Sequence, residues 1–214
     1  MVLLRSFALV AVLCLSGCGL PQHEQWTEQV TLHDGREVSA SRGAWKQWLF
    51  DDAQGRVWRY KYSVKAVNPN SGKTVRWSGR WSEKPIIIEF DQTYAYIVFL
   101  PEKCTVDMSR YGSPNPPYVV LRRADGWLQR WQILKLADYP ASLRSINLIL
   151  RYPMWEISEQ GKTRFSADEV RQLSHPQRQM DAGFKQSPIP SDWESWRYQY
   201  KLRDGWGCAG KYKK

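Results

Sequence analysis

The sequence predicts a mainly β protein: a single antiparallel, sandwich- or barrel-like domain with one or two short helices. Three observations favour this class. Several segments alternate apolar and polar side chains with the period of two that is typical of strands. Turn-forming Gly, Asn, Asp and Pro separate these segments at short intervals. Only one segment carries a convincing helix start, and the chain has no internal repeat.

The first segment, residues 24–42, is typical of a hairpin. Two β-rich runs flank His33-Asp34-Gly35-Arg36, and an Asp-Gly pair readily supplies the positive φ that tight hairpin turns need. The segment that follows, residues 43–52, is too short and mixed to assign.

The clearest strand pair spans residues 56–67 and 73–81, separated by the turn-forming run at 68–73. Strand alternation gives this pair an aromatic face and a basic face. The aromatic face comprises Trp58, Tyr60, Tyr62, Val64, Val75, Trp77 and Trp81. The basic face carries Arg59, Lys61, Lys65, Arg76 and Arg80. We expect the aromatic face in the core and the basic face in solvent.

Further strands are predicted downstream. Residues 85–90 and 93–100 are almost continuously apolar, as in strands covered on both faces. Residues 118–123 and 126–135 form another expected hairpin, and residues 145–152 a further strand. The proline-rich run at 109–118 is a predicted loop, because clustered prolines cannot join a ladder.

One helix is predicted from a capping box, in which Ser166 and Glu169 each satisfy the other residue's backbone N–H. This helix must end before Pro176. A second short helix at Ser191, becoming a strand from Arg197, is also compatible with the sequence.

The first seventeen residues have the layout of an export signal: Arg5, an apolar run at 7–15 and small residues before Cys18. The run is shorter than the roughly 20 residues of a membrane-spanning helix. The segment Leu15-Ser16-Gly17-Cys18 resembles the lipobox of bacterial lipoproteins. That resemblance implies cleavage before Cys18 and acylation of its thiol and new amino terminus. Gly19, where an inner-membrane retention signal would have aspartate, implies the outer membrane.

We therefore expect a signal peptide at 1–17, a lipidated tether at 18–25 and one β-rich domain at 26–214, held at the outer membrane and facing the periplasm. The body is broadly similar to proteobacterial lipoproteins of unknown function, which implies a location and no mechanism. Cys104 and Cys208 are the thiols left over, and an oxidising compartment favours a bridge between them. Two separate buried thiols are the alternative.

Catalytic resources are few. The histidines are His23, His33 and His175, and no pair of them has metal-ligand spacing. The chain has no G-x-S-x-G elbow and no phosphate-binding glycine loop. We expect a protein that is not an enzyme and that uses no metal or cofactor. A periplasmic hydrolase with an unrecognised acidic or Cys-His site is one alternative.

Charge and aromatic content point to binding. The chain has a formal net charge of +10, with 12 Trp and 11 Tyr. A basic surface favours anionic neighbours, and Trp and Tyr suit sugar rings, lipid interfaces and protein hot spots. The expected partner is an envelope protein or an anionic glycan or lipid, and not nucleic acid, which an exported protein rarely meets. The candidate surface comprises Arg59, Lys61, Lys65, Arg76, Arg80, Trp127, Trp131, Trp193 and Trp196. An immunity or inhibitor lipoprotein against a secreted toxin is the other alternative.

Overall fold

The strands of the chain form two sheets, which confirms the mainly β class and gives a sandwich-like arrangement. The structure, a computed structural model, describes residues 22–51, 55–101, 108–112, 118–125, 129–143, 145–150, 156–157 and 159–174. Sheet A contains β1 (Gln22–Thr31), β2 (Glu37–Asp51), β3 (Gly55–Val67), β4 (Thr74–Trp81) and β9 (Arg164–Phe165), in the order β4-β3-β2-β1-β9. Sheet B contains β5 (Glu83–Phe90), β6 (Tyr94–Pro101), β7 (Val119–Ala124) and β8 (Gln132–Ile133), in chain order. Neighbouring strands are antiparallel except β1 and β9.

The two predicted hairpins of sheet A form at their predicted turns, and β2 and β3 pair as a third hairpin that was not predicted. In the β1–β2 turn, the backbone N–H of Leu32 donates to the carbonyl of Arg36 over 2.8 Å, and Gly35 takes the expected positive φ of 85°. The β3–β4 turn closes through Asn68, whose N–H donates to the carbonyl of Lys73 over 2.8 Å. The predicted hairpin in sheet B also forms as β7 and β8, but β8 has only two residues.

Strand β1 begins earlier than predicted. It starts at Gln22, so residues 22–25, which were assigned to the tether, pair with β2 from Lys46 back to Gly43. The reason is the length of β2, whose 15 residues offer a partner for every residue of β1. The folded body thus extends four residues closer to Cys18, which itself lies outside the described residues.

The two predicted faces of the β3–β4 pair are present, with one correction. Tyr62, Val64 and Trp77 are buried in the core, whereas Lys65 and Arg76 are exposed. We call the face of sheet A that points away from the core its outer face.

The correction concerns Trp81, which was predicted to share a face with Trp77. Ser78 pairs with Ser63, whereas Trp81 pairs with Lys61, so a β-bulge inserts an extra residue into β4 between these pairs. Directly opposite residues of an antiparallel pair share a face. Trp81 therefore lies beside Lys61 on the outer face.

The chain passes from sheet A to sheet B through a single residue, Ser82, which has a left-handed φ of 68°. Its N–H donates to the carbonyl of Tyr60 over 2.6 Å. Strands β5 and β6 that follow are almost entirely buried, as their apolar sequences predicted. Trp77 of β4 stacks on Phe99 of β6 with ring centroids 5.8 Å apart, so the core lies between the two sheets.

Residues 145–150 do not form the predicted strand, although Ile146, Leu148 and Ile149 are fully buried. The side chain of Asn147 occupies the hydrogen-bonding groups that a strand neighbour of β5 would use. Its Oδ1 accepts from the N–H of Ile88 over 3.0 Å, and its Nδ2 donates to the carbonyl of the same residue over 2.8 Å. The backbone N–H groups of Asn147 and Leu148 also donate to the carbonyl of Ile86, over 3.2 and 3.1 Å, so one amide side chain and two backbone hydrogen bonds hold the segment against β5.

The predicted helix, α1 (Ala167–Leu173), begins with the complete capping box of Ser166 and Glu169. Lys162 also donates to Glu169, and this hydrogen bond is the main reason that the pKa of Glu169 lies below its ordinary value. The second helix expected at Ser191 lies outside the described residues.

A buried ion pair joins β1 and β2 on the core side of sheet A. Nη1 of Arg42 donates to Oε1 of Glu28 over 3.0 Å, and both side chains are almost completely buried. Glu28 also accepts from Nε1 of Trp26 over 2.6 Å and from the N–H of Ile149 over 3.0 Å. The guanidinium lies 5.5 Å from the centroid of the Trp26 ring, a cation–π distance. The two charges are thereby paired, as burial requires, although Nε of Arg42 is buried without a hydrogen-bond partner among the described residues.

Candidate functional site

The outer face of sheet A carries three rows of side chains that run across the strands, and the pairing register defines each row. The aromatic row consists of His23, Trp45, Lys61 and Trp81. The floor row consists of Gln25, Gly43, Ser63 and Ser78. The basic row consists of Arg164, Thr27, Ser41, Lys65 and Arg76.

The floor and basic rows line an open groove of about 830 Å³. The middle of the floor is low because Gly43, Ser63 and Ser78 have no side chain or a small one. The long side chains of Lys65, Arg76 and Arg164 stand on one side of it. Same-face residues along a strand are roughly 6.8 Å apart, so the aromatic and basic rows are separated by about 14 Å. Four strands at about 4.8 Å spacing give the groove a length of about 14 Å. These dimensions suit an extended ligand lying across the strands.

Gly43 sits at the point where the groove floor is most crowded. A Cβ atom at this position would lie 2.7 Å from Oγ of Ser63 and 3.1 Å from Nε2 of His23. The missing side chain therefore leaves room for a hydroxyl and an imidazole nitrogen above the backbone of Gly43, which they cover and bury. A hydroxyl and an imidazole at this spot can hydrogen-bond to a ligand that reaches the floor.

The basic row gives one side of the groove a positive charge. Lys65, Arg76 and Arg164 are exposed, and within the described part of the chain none of them has an acidic side chain within ion-pair distance. The described residues that line the groove include no Asp or Glu. This flank can therefore attract an anionic group without first breaking an internal salt bridge.

The aromatic row lies on the other side of the floor row, beyond the residues that line the groove itself. Trp45 is 39% exposed, and the ring of His23 stacks on it with centroids 4.1 Å apart and an angle of 17° between the planes. Lys61 lies between Trp45 and the half-buried Trp81. The row thus combines two indole rings with one cation.

The predicted surface residues fall into three groups. Arg59, Lys61, Lys65 and Arg76 lie on the outer face of sheet A, and Arg80 is exposed in the bulge of β4. Trp131 is half-buried. Its Nε1 donates to the carbonyl of Arg76 over 3.0 Å, which satisfies a backbone acceptor of β4, the edge strand of sheet A. Trp127, Trp193 and Trp196 of the predicted surface lie outside the described residues. So do Cys18, the expected lipidation residue, and Cys104 and Cys208, the expected disulfide pair.

Sequence reasoning missed the floor row, Trp45 and His23. Residues 43–52 have no assignment from the sequence because Lys46 lies on the core face of β2 and Trp45 on its outer face, which reverses the expected apolar–polar alternation. The outer face of the same strand, which includes Ser39, Ser41 and Gly43, is small and polar at every second position. These small or polar residues at alternate positions were the sequence feature that could have indicated a solvent-facing strand with a low surface.

A second cavity, of about 590 Å³, lies beside the β1–β2 turn. Here Nδ1 of His33 is 3.1 Å from Oε1 of the buried Glu89. Glu89 also accepts from the backbone N–H groups of His33 and Phe90, each over 2.9 Å. Ser142 and Ser145 line the same cavity. A buried carboxylate that holds Nδ1 leaves Nε2 as the free ring nitrogen of the imidazole.

Charged neighbours also surround this histidine. Nε of Arg36 donates to Asp34 over 2.7 Å, and this hydrogen bond is the main reason that the pKa of Asp34 lies below its ordinary value. His33 makes a smaller electrostatic contribution in the same direction. His33, Asp34 and Arg36 of the β1–β2 turn therefore form a compact charged cluster with Glu89 of β5.

Comparisons of the chain with protein-family models, curated proteins and solved structures find no match. In the part of the chain that the structure describes, no helix is long and apolar enough to cross a membrane. Over those same residues, no group of three or more His, Cys, Asp or Glu is placed to hold a metal ion. The binding chemistry is therefore inferred from the geometry of the chain's own residues.

Proposed function

We propose that this chain is a lipid-anchored protein of the bacterial outer membrane that faces the periplasm and binds an anionic envelope component without catalysing a reaction. Acylated Cys18 attaches it to the membrane, and the groove on the outer face of sheet A is its binding site. The support for the anchor is the lipobox-like sequence. The support for the binding site is the geometry of the groove.

One observation carries the binding proposal: the basic row stands beside a floor without acidic groups. Lys65, Arg76 and Arg164 project from three different strands toward one flank. Cations brought together without counter-ions raise the local positive potential and attract an anionic ligand. The floor then presents the polar side chains of Gln25, Ser63 and Ser78 to the ligand.

The binding site is tested by neutralising the basic row. We expect Lys65→Gln/Arg76→Gln to weaken binding to polygalacturonate, lipopolysaccharide and anionic vesicles, or to whichever of these binds, by about tenfold or more, which is about 1.4 kcal/mol. The matched control is Lys73→Gln/Lys135→Gln, which changes two exposed lysines outside the groove. Equal weakening by the two double variants would show that net charge alone drives binding. Absence of binding to all three probes at low salt would refute the proposal.

The anchor is tested separately by labelling cells with radioactive palmitate. The wild-type protein should incorporate label and remain with the outer-membrane fraction, whereas Cys18→Ala should lose both properties. Stable attachment needs two or more chains, because one acyl chain binds only marginally. Label entering Cys18→Ala at the wild-type level would contradict the proposal.

A hydrolase is the second candidate function, and the His33–Glu89 pair is the observation that favours it. A buried carboxylate that orients an imidazole is the arrangement of a general base, and Ser142 and Ser145 supply hydroxyls in the same cavity. The test is labelling with a fluorophosphonate, which reacts with activated serines. A hydrolase predicts a labelled serine in wild type and in His23→Asn, but not in His33→Asn. No label in any of the three proteins would remove this candidate.

A further inference from the structure

We infer that the ligand of the groove is an acidic polysaccharide, a chain of pyranose rings that carry carboxylates. This inference rests on the proposed function and specifies its ligand. Three features of the outer face of sheet A support it, one from each row.

The basic row specifies where the ligand's charge lies. All three of its cations are on the same flank of the groove, about 14 Å from the aromatic row. A ligand that carries carboxylates along one edge places them against Lys65, Arg76 and Arg164, where Arg can bind a carboxylate through two parallel hydrogen bonds. A uronic acid polymer has such an edge.

The floor row specifies hydrogen bonding. Gln25, Ser63 and Ser78 present an amide and two hydroxyls, each of which can donate and accept. Sugar hydroxyls have the same dual capacity. An acyl chain would leave these polar groups unpaired in the bound state, which is unfavourable. The floor therefore fits the hydroxyl-rich face of a sugar better than the tail of a lipid.

The aromatic row specifies a ring. Sugar rings have an apolar C–H face that packs on flat aromatic side chains, and indole offers the widest such surface. His23 covers one face of Trp45 and fixes its plane, so the ligand ring packs on the other face and less conformational freedom is lost on binding. A linear polymer of acidic amino acids carries the same charge but offers no ring to this surface.

The shape of the groove specifies a polymer. It is a trough across β9 and β1 to β4 that is open to solvent, so its ligand need not fit wholly inside it. A ligand with repeated charges engages Lys65, Arg76 and Arg164 in turn along the same flank. Repeated contacts along one chain increase the overall affinity through effective concentration.

Four probes separate charge from ring chemistry: polygalacturonate has both, polyglutamate only charge, dextran only rings, and anionic phospholipid vesicles supply charge on a lipid. The experiment measures the affinity of the full mature protein in detergent for each probe at fixed ionic strength. We expect polygalacturonate to bind at least about tenfold more tightly than polyglutamate at equal charge, a difference of about 1.4 kcal/mol. We expect weak binding to dextran and to vesicles.

The variants locate the ring contact. Trp45→Ala should reduce affinity for polygalacturonate by about tenfold and leave affinity for polyglutamate unchanged. The matched control is Trp48→Ala, since Trp48 is 43% exposed but points to the opposite face of sheet A. An unchanged control shows that losing an exposed indole is not enough to reduce binding.

Polyglutamate or vesicles binding as tightly as polygalacturonate would overturn the inference while leaving the proposed function intact. An unchanged affinity of Trp45→Ala for polygalacturonate would overturn it as well. Failure of all four probes and of lipopolysaccharide to bind would refute the proposed function itself, whereas binding of lipopolysaccharide without polygalacturonate would overturn only this inference.

Discussion

At the scale of single residues, the buried Glu28 determines how β1 and β2 fit together. Its carboxylate accepts from Arg42, from Trp26 and from the backbone of Ile149, so three parts of the chain meet at one side chain. Removing one partner of such a pair leaves an unpaired buried charge, which is far more destabilising than the loss of an exposed ion pair.

We predict that Glu28→Gln lowers the free energy of unfolding by about 3–5 kcal/mol because Arg42 loses its counter-charge. Urea unfolding followed by Trp fluorescence measures this change. Glu37→Gln, an exposed glutamate of the same hairpin, should change stability by no more than about 0.5 kcal/mol. A loss below 1 kcal/mol for Glu28→Gln, on the order of the control, would show that the pair contributes little.

A second residue-scale effect appears at alkaline pH. Burial, and then the hydrogen bond of 2.5 Å to Glu83, raise the pKa of Tyr111 to about 12 from an ordinary value of 10.0. In the unfolded chain this tyrosine ionises near its ordinary value. Its contribution to stability is therefore complete below pH 10 and is lost as pH rises from 10 to 12.

We predict that Tyr111→Phe makes the unfolding free energy fall less steeply with pH between 10 and 12 than it does in wild type. The effect is small because Tyr111 is only half-buried, and Tyr139, whose pKa burial also raises to about 12, keeps part of the slope. Urea titrations at several pH values measure it. Identical slopes for the two proteins would rule out this assignment.

At the scale of elements, two strand glycines differ in what lies above them. At Gly79, in the bulge of β4, a Cβ would meet ring carbons of Trp77 at 2.5 and 2.9 Å. At Gly43 the nearest atom is the hydroxyl of Ser63, which can rotate away. Neither glycine has a positive φ, so space alone decides the outcome of a substitution.

We predict that Gly79→Ala destabilises the protein by about 1–3 kcal/mol, as overpacking in a core does. Gly43→Ala should fold with near-wild-type stability and instead narrow the groove, reducing affinity for the anionic ligand. Thermal unfolding and a binding titration on both variants measure the two effects. The reverse pattern, with Gly43→Ala the less stable protein, would contradict the packing described here.

The sequence predicted most elements, and the exceptions have identifiable causes. Alternation and turn chemistry are local, so the hairpins and the capping box of α1 were visible in the sequence. The bulge that turns Trp81 outward depends on how β4 pairs with β3, which no single strand records. Residues 145–150 look like a strand but lie against β5 through the amide of Asn147 and through backbone hydrogen bonds to Ile86 alone, which are tertiary contacts. Lys46 on the core face of β2 and Trp45 on its outer face break the alternation in residues 43–52.

At the scale of the whole molecule, the sandwich buries one face of sheet A and leaves the other in solvent. The excess positive charge of the chain is therefore partly concentrated on one surface, where Arg59, Lys61, Lys65 and Arg76 lie together. The sequence already identified these cations as a face. It could not supply Arg164, which joins them only because β9 pairs with β1 after a separation of more than 130 residues. Local patterns thus predicted half of the candidate site, and the topology supplied the rest.

The most direct test of the binding surface is lysine acetylation with and without ligand, read out residue by residue by mass spectrometry. Saturating polygalacturonate should slow the labelling of Lys61 and Lys65 several-fold, because both lie on the outer face of sheet A. Lys73 and Lys135, exposed elsewhere, should react at unchanged rates. Protection of Lys73 and Lys135 equal to that of Lys61 and Lys65, or no protection of any lysine, would contradict a ligand site on this face.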